Sequence, residues 1–217
     1  MLYQMGCCVL PSSLRPIVLE WWRHEMERIP ITQLYEREPY DRAHFTYGGY
    51  DHLPRCCYTQ LERDPTLVSL CNRVLRPGWA FGKRSGDLVT RGCNSAQRLH
   101  SDWPQYPTES RRLGYALVVY IALHDVPAEQ AAVRVVPWCT EHYHDLPYRD
   151  EEGGRLKGLQ VPLRQGEMFV RDCRMAHAGM PNRTDADRVL PGIQILSPEW
   201  LQARRHGAGL QANCPVA

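Results

Sequence analysis

The spacing of apolar residues changes character near residue 79. Before it, residues 13 to 28 (SLRPIVLEWWRHEMER) place Leu14, Val18, Trp21 or Trp22, and Met26 at helical intervals. Residues 64 to 75 (DPTLVSLCNRVL) predict a second helix. It opens on an Asp cap with Pro at the first helical position and ends at Pro77-Gly78. Between the two, 33 to 58 is rich in Tyr, Asp, Gly and His and reads as irregular.

After residue 79 short strand-like runs succeed one another: WAFGK, DLVTRG, AQRLH, YALVVYIAL, AVRVVP, LQVPL, EMFVRD, RMAHA and VLPGIQIL. Turn-forming breaks separate them, among them Ser85-Gly86, 103 to 114, 145 to 158 and Gln165-Gly166. Many short strands at this spacing predict a sandwich or a barrel, of which a jelly roll is one form. The reading is one domain over 1–217, with a helical N-terminal part to about 77 and a barrel core over about 78–197. From residue 203 onward the chain reads as a loose end.

Composition narrows the function. With 43% hydrophobic and 23% charged residues, the chain reads as an ordinary soluble globular protein, expected in the cytoplasm. A net charge of +2, with basic residues interleaved among acids, gives no footprint for nucleic acid. No run approaches the roughly 18 apolar residues of a membrane span. Met5-Gly6-Cys7-Cys8 resembles an acylated start, but Leu10 stands where that motif needs Ser or Thr, so no lipid is expected. The 9 cysteines are odd in number and contain no CxxC pair. That argues against a zinc ribbon and a disulfide framework, and reads as reduced thiols, several of them buried.

The chemistry concentrates in two segments. In QRLHSDWPQY, His100 and Asp102 stand two apart, so on an extended strand both side chains reach the same face. A second His ends the run MFVRDCRMAH, at His177. Two imidazoles and a carboxylate on one face of an octahedron leave three positions open, the arrangement of non-haem Fe(II) oxygenases. An HxD pair alone is a weak signal, and a strand-end His paired with an Asp explains it equally well. Trp103 and Tyr106 are candidates for lining a substrate entrance or for capping the barrel. Lys83, Arg84 and Arg91 could attract an anion or merely edge a strand. Glu141 to Asp145 (EHYHD) reads as a polar loop, and His24-Glu25 fails as a zinc-protease motif because position 28 is Arg.

The residues after His177 raise the specificity. The segment His177-Ala-Gly-Met-Pro-Asn182-Arg-Thr184-Asp-Ala-Asp-Arg188, with Q-x-x-H-x-D at Gln97 to Asp102, resembles the phytanoyl-CoA dioxygenase family of Fe(II)/2-oxoglutarate oxygenases. The resemblance runs over about 78 to 197 and includes VPLRQGEMFVRDCRMAH as the approach to the distal His. It implies a mainly β fold, a double-stranded β-helix (jelly-roll, cupin-like) with supporting N-terminal helices. It implies His100, Asp102 and His177 as iron ligands, with 2-oxoglutarate and O2 as co-substrates. It assigns the distal carboxylate of 2-oxoglutarate to Arg188, and Thr184 could add a hydroxyl donor. A guanidinium suits that role, since its planar fork gives paired, charge-assisted bonds that Lys cannot reproduce. The implied reaction is hydroxylation of an aliphatic C–H bond of a small organic molecule, with no separate general base. Two departures mark the chain. The family's P-G-S-H corner is here Pro137 to His142 (PWCTEH), and Gln130-Ala131-Ala132 replaces its Asn-Gly turn. A Zn(II) hydrolase on the same ligands, or a non-catalytic binding barrel, are the alternatives from other classes.

Overall fold

Alternation along the strands decides the architecture. The structure, a computed structural model, describes residues 2–36, 44–47, 53–97, 99–102, 116–137 and 158–205. In chain order the elements are α1 (Leu2–Met5), β1 (Cys7–Pro11), α2 (Pro16–Glu27), a 3-10 turn (Ile31–Gln33), β2 (Tyr35–Glu36) and β3 (His44–Thr46). Then come α3 (Arg55–Glu62), α4 (Pro65–Val74), β4 (Ala80–Val89), β5 (Ala116–Ile121), β6 (Val133–Val135) and β7 (Leu159–Val161). The chain continues through β8 (Glu167–Asp172), β9 (His177–Ala178), β10 (Arg188–Leu196) and α5 (Pro198–Arg205).

Two antiparallel sheets form. The larger has the order β1-β8-β5-β10-β4-β3-β2 and the smaller the order β7-β6-β9. Central strand β5 (ALVVYI) is apolar at every position because both of its faces are covered. Ala116, Val118 and Tyr120 point inward and meet Phe169, Leu190 and, from the small sheet, Val133 and Val135. Leu117, Val119 and Ile121 point the other way, under Leu19, Trp22 and Met26 of α2 and Tyr58, Leu61 and Leu67 of α3 and α4. The inner layer is therefore the space between the sheets, and the helices close the outer face of the larger one. Among the described residues no helix is long and apolar enough to cross a membrane.

Both expected helices form, α2 within 13 to 28 and α4 within 64 to 75. The Asp64 side chain caps α4, accepting from the N–H groups of Thr66 and Leu67 at 2.9 and 3.1 Å. Several features differ from the sequence reading: in the expected strand AQRLH only His100 pairs among the described residues, in a single bridge, and α5 runs past residue 203 into the expected loose end. The 33 to 58 stretch contains β2, β3 and the start of α3. WAFGK and DLVTRG are one strand, β4, with no break at Ser85-Gly86. A Cβ at Gly86 would come within 2.9 Å of both the Leu190 carbonyl and the Pro191 Cα, so this glycine permits close strand approach and makes no turn. Cys7 and Cys8 lie in β1, paired with Arg171 and Val170 of β8. Trp103, Tyr106, residues 138–157 and the tail beyond 205 lie outside the described residues.

Candidate metal centre

The two metal-ligand segments meet edge to edge. The N–H of His100 donates to the carbonyl of His177 at 2.9 Å, and the N–H of His177 donates back at 2.8 Å. The His100 segment thus extends the small sheet beyond β9. The Asp102 N–H donates to the Cys173 carbonyl at 3.1 Å, which fixes the third ligand against the end of β8. His100, Asp102 and His177 each offer one ligand atom, and these atoms lie within 4.8 Å of one another.

Local hydrogen bonds select which atoms face inward. Nδ1 of His177 lies 3.0 Å from the Met175 carbonyl. A carbonyl only accepts, so Nδ1 carries the proton and Nε2 keeps its lone pair for a metal. Nε2 lies 3.6 Å from Asp102 Oδ1. Two ligands with bonds of about 2.1 Å on one octahedral face are about 3 Å apart, so the His177–Asp102 pair needs only a small contraction to span an ion. Asp102 Oδ2 is engaged elsewhere, in an ion pair with Arg171 Nη2 at 2.6 Å.

The rest of the motif has structural partners. The Gln97 N–H donates to the Gly179 carbonyl and the Gly179 N–H donates to Gln97 Oε1, both at 2.8 Å. This two-way clasp joins the strand before His100 to the turn after His177. Asn182 is fully buried. Its Nδ2 donates to the carbonyls of Val89 at 3.1 Å and Ala186 at 2.8 Å. Its Oδ1 accepts from the N–H and hydroxyl of Thr184, at 3.2 and 2.8 Å. Val89 is the register partner of Arg188, so Asn182 fastens the turn to the strand beside that arginine.

Arg188 is 1% exposed. It opens β10 two residues before inward-facing Leu190, so its side chain belongs to the inner face. It is therefore not a surface arginine, and Asp187 accepts the backbone N–H of Arg91 at 2.8 Å. The Thr184 hydroxyl lies within reach of Asn182 Oδ1 at 2.8 Å and the Ala186 carbonyl at 3.1 Å, so it closes the turn leading into β10. In Gln130-Ala131-Ala132, which replaces the family's Asn-Gly turn, Ala131 adopts a left-handed φ of 55°, and Gln130 bridges to Asn182. That backbone conformation costs a non-glycine residue about 1 to 2 kcal/mol.

Sequence reasoning passed over Arg171, which is 0% exposed. It stands two residues from Phe169 and from Cys173, both in the inner layer, with its guanidinium carbon 5.8 Å from the ring centroid of Tyr120. Burial alone would lower its pKa. The Asp102 carboxylate, helped by Tyr120 and Cys173, reverses that and leaves the group more firmly charged than an ordinary arginine. The signal in the sequence was a single cation in a strand otherwise built to be buried. Arg84 pairs with Glu62 at 2.7 Å on the helix-covered side, away from the ligands.

A family model for phytanoyl-CoA dioxygenase (PhyH) matches residues 2–190. No curated protein matches the sequence significantly. Among solved structures, the non-heme alpha ketoglutarate dependent epimerase SnoN from nogalamycin biosynthesis aligns with a TM-score of 0.69 at 19% identity, covering 90% of this chain and 79% of its own. HygX from Streptomyces hygroscopicus, with nickel and 2-oxoglutarate bound, aligns at 0.70 and 16% identity, covering 91% and 85%. AviO1 from Streptomyces viridochromogenes aligns at 0.67 and 18%, covering 91% and 92%. SnoN is also solved with Fe3+, alpha ketoglutarate and nogalamycin RO, and HygX with hygromycin B. These likenesses show the fold, the cupin-like double-stranded β-helix that the family resemblance implied.

Proposed function

The chain belongs to the phytanoyl-CoA dioxygenase family of iron- and 2-oxoglutarate-dependent enzymes, and we propose that it hydroxylates an aliphatic C–H bond of a small organic molecule, releasing succinate and CO2. One observation carries this reading: His100, Asp102 and His177 converge within 4.8 Å, with His177 Nδ1 already committed to a carbonyl and Nε2 turned toward Asp102. A cluster of two nitrogens and one oxygen fits Fe(II) and leaves three positions of an octahedron for a chelating co-substrate and O2. When bound, the iron would activate O2, the oxidant, with 2-oxoglutarate giving up two electrons as it becomes succinate and CO2, chemistry that no side chain here could provide.

The protein's own part is placement. Arg188 receives the far carboxylate of 2-oxoglutarate through its guanidinium fork, in a buried setting where a charge-assisted bond gains strength. Asn182 and Thr184 shape the turn that aims Arg188. Val118, Tyr120, Val133 and Leu190 line an apolar interior that excludes water. That SnoN and HygX were solved with nogalamycin RO and hygromycin B supports a small molecule as substrate.

Anaerobic titration of the protein with Fe(II) and 2-oxoglutarate tests the reading through the visible charge-transfer band of the chelate. The band should form, vanish in His177→Ala and weaken in Arg188→Ala. A folded, metal-loaded protein that gives no band overturns the co-substrate assignment.

A further inference from the structure

The two oxygens of Asp102 have different partners. Oδ1 lies 3.6 Å from His177 Nε2, the ring nitrogen that is not committed to the Met175 carbonyl. Oδ2 meets Arg171 Nη2 at 2.6 Å. Arg171 is fully buried, and among the described residues no nitrogen of its guanidinium meets an acceptor in hydrogen-bond geometry, so the close ion pair with Oδ2 is what compensates its charge. A cation in that setting is unfavourable unless an anion sits beside it. The anion it meets belongs to the only ligand of the three that could bind a metal through two atoms. The backbone tie of the same ligand, Asp102 N–H to the Cys173 carbonyl, falls two residues along the chain from Arg171. One strand end therefore fixes both the main chain and the outer oxygen of Asp102.

We infer that Arg171 is a positioning residue that holds Asp102 Oδ2 and so restricts Asp102 to one metal-facing oxygen. The inference rests on the iron reading above. Its consequence is a count of coordination positions. With Asp102 bound through Oδ1 alone, three of six remain, enough for 2-oxoglutarate and O2. With Asp102 bound through both oxygens only two remain, and a chelating co-substrate fills them.

The test measures Fe(II) affinity and the anaerobic 2-oxoglutarate band in wild type, Arg171→Gln and Arg171→Lys. Loss of a residue that orients a ligand typically costs roughly 10- to 100-fold in metal affinity. Arg171→Gln should fall in that range per folded molecule, and its band should weaken even when iron is saturating. Arg171→Lys keeps the charge without the fork and should lie between Gln and wild type. Variants with wild-type affinity and an unchanged band overturn the inference while leaving the iron reading intact, even if they melt earlier. Absence of the band in wild type overturns the iron reading, and the inference with it. If neither variant folds, a crystal structure of the metal-loaded wild type decides. Oδ1 on the metal with Oδ2 on Arg171 supports the assignment, and a chelating Asp102 or a displaced Arg171 overturns it.

Discussion

The main chains of His100 and His177 donate to each other, at 2.9 and 2.8 Å, while their rings sit with centroids 4.3 Å apart. The backbone pairing is independent of the side chains it presents. His177→Ala therefore keeps both strand bonds and removes a metal ligand together with one hydrogen bond, from Nδ1 to the Met175 carbonyl. We expect a loss of Fe(II) affinity beyond the roughly 100-fold upper range for an outer-shell partner, with little change in the melting temperature of the metal-free protein. Paired binding titrations and thermal melts check this, and a large drop in melting temperature would show that the imidazole also supports the fold.

Thr184 offers a sharper separation of roles. Its hydroxyl lies 2.8 Å from Asn182 Oδ1, inside the turn. Thr184→Val should cost about 1 kcal/mol of stability, the usual worth of one such bond. It should also shift the 2-oxoglutarate requirement far less than Arg188→Ala does. Denaturant melts and succinate release at varied 2-oxoglutarate provide the two readouts. An equal loss of co-substrate affinity in both variants would instead place the Thr184 hydroxyl on the carboxylate.

Asp64 joins two N-terminal segments. Oδ1 caps α4, while Oδ2 accepts from the Ser13 hydroxyl at 2.8 Å and from the Ser13 N–H. Removing an Asp cap costs about 0.5 to 2 kcal/mol. Because this one is buried and also ties the chain entering α2, Asp64→Ala should reach the upper end of that range in urea unfolding. Iron affinity per folded molecule should not change, since none of these contacts touches the metal ligands.

The His100, Asp102 and His177 cluster was legible through short motifs, weakly from the spacing alone and fully only through the family resemblance. A two-residue spacing puts His100 and Asp102 on one face, and the residues after His177 form a turn whose Asn182 and Thr184 bond to each other. Capped α4 was legible through a short motif as well. Features that depend on a distant strand were not. Cys7 and Cys8 resembled a terminal motif because nothing nearby shows that β8 pairs with them. Ser85-Gly86 resembled a turn because the Pro191 backbone that requires a glycine lies on another strand. α3 has no side-chain cap and is only 8 residues long, so its buried Cys57, Tyr58 and Leu61 show a single turn of helical spacing, too little to stand out. Arg171 looked like any strand arginine until Asp102 was brought beside it.

Among the described residues the seven cysteines Cys7, Cys8, Cys56, Cys57, Cys71, Cys93 and Cys173 form no disulfide. Burial raises the Cys8 thiol to about 11 and the Cys71 thiol to about 12. At pH 8 a thiol of pKa 11 is thiolate in only about one part in a thousand. Iodoacetamide on the native protein should therefore label exposed Cys56 well before Cys8 or Cys71, as read by peptide mass spectrometry. The folded pKa values exceed the unfolded ones, so above about pH 9 the unfolded chain ionises first and stability declines toward about pH 12. Rapid labelling of Cys71 at pH 8 would contradict this burial.

Gly192 links the strand core to the metal centre. A Cβ there would meet the Tyr120 ring at 2.8 and 3.0 Å and the Val119 carbonyl at 3.0 Å. Backbone contact on one side leaves the Tyr120 ring as the part able to give way. That ring faces the Arg171 guanidinium, 5.8 Å from its centroid, and Arg171 holds Asp102. Gly192→Ala should therefore do two things. Overpacking should lower stability by about 1 to 3 kcal/mol. The displaced ring should also disturb Arg171, weakening the iron and 2-oxoglutarate band even in protein that remains folded. Gly86→Ala is the control, since its added Cβ meets the backbone of Leu190 and Pro191 and no inward-facing ring. It should lower stability with less effect on the band per folded molecule. Equal effects of the two substitutions on the band would mean that Tyr120 does not transmit strain to the site.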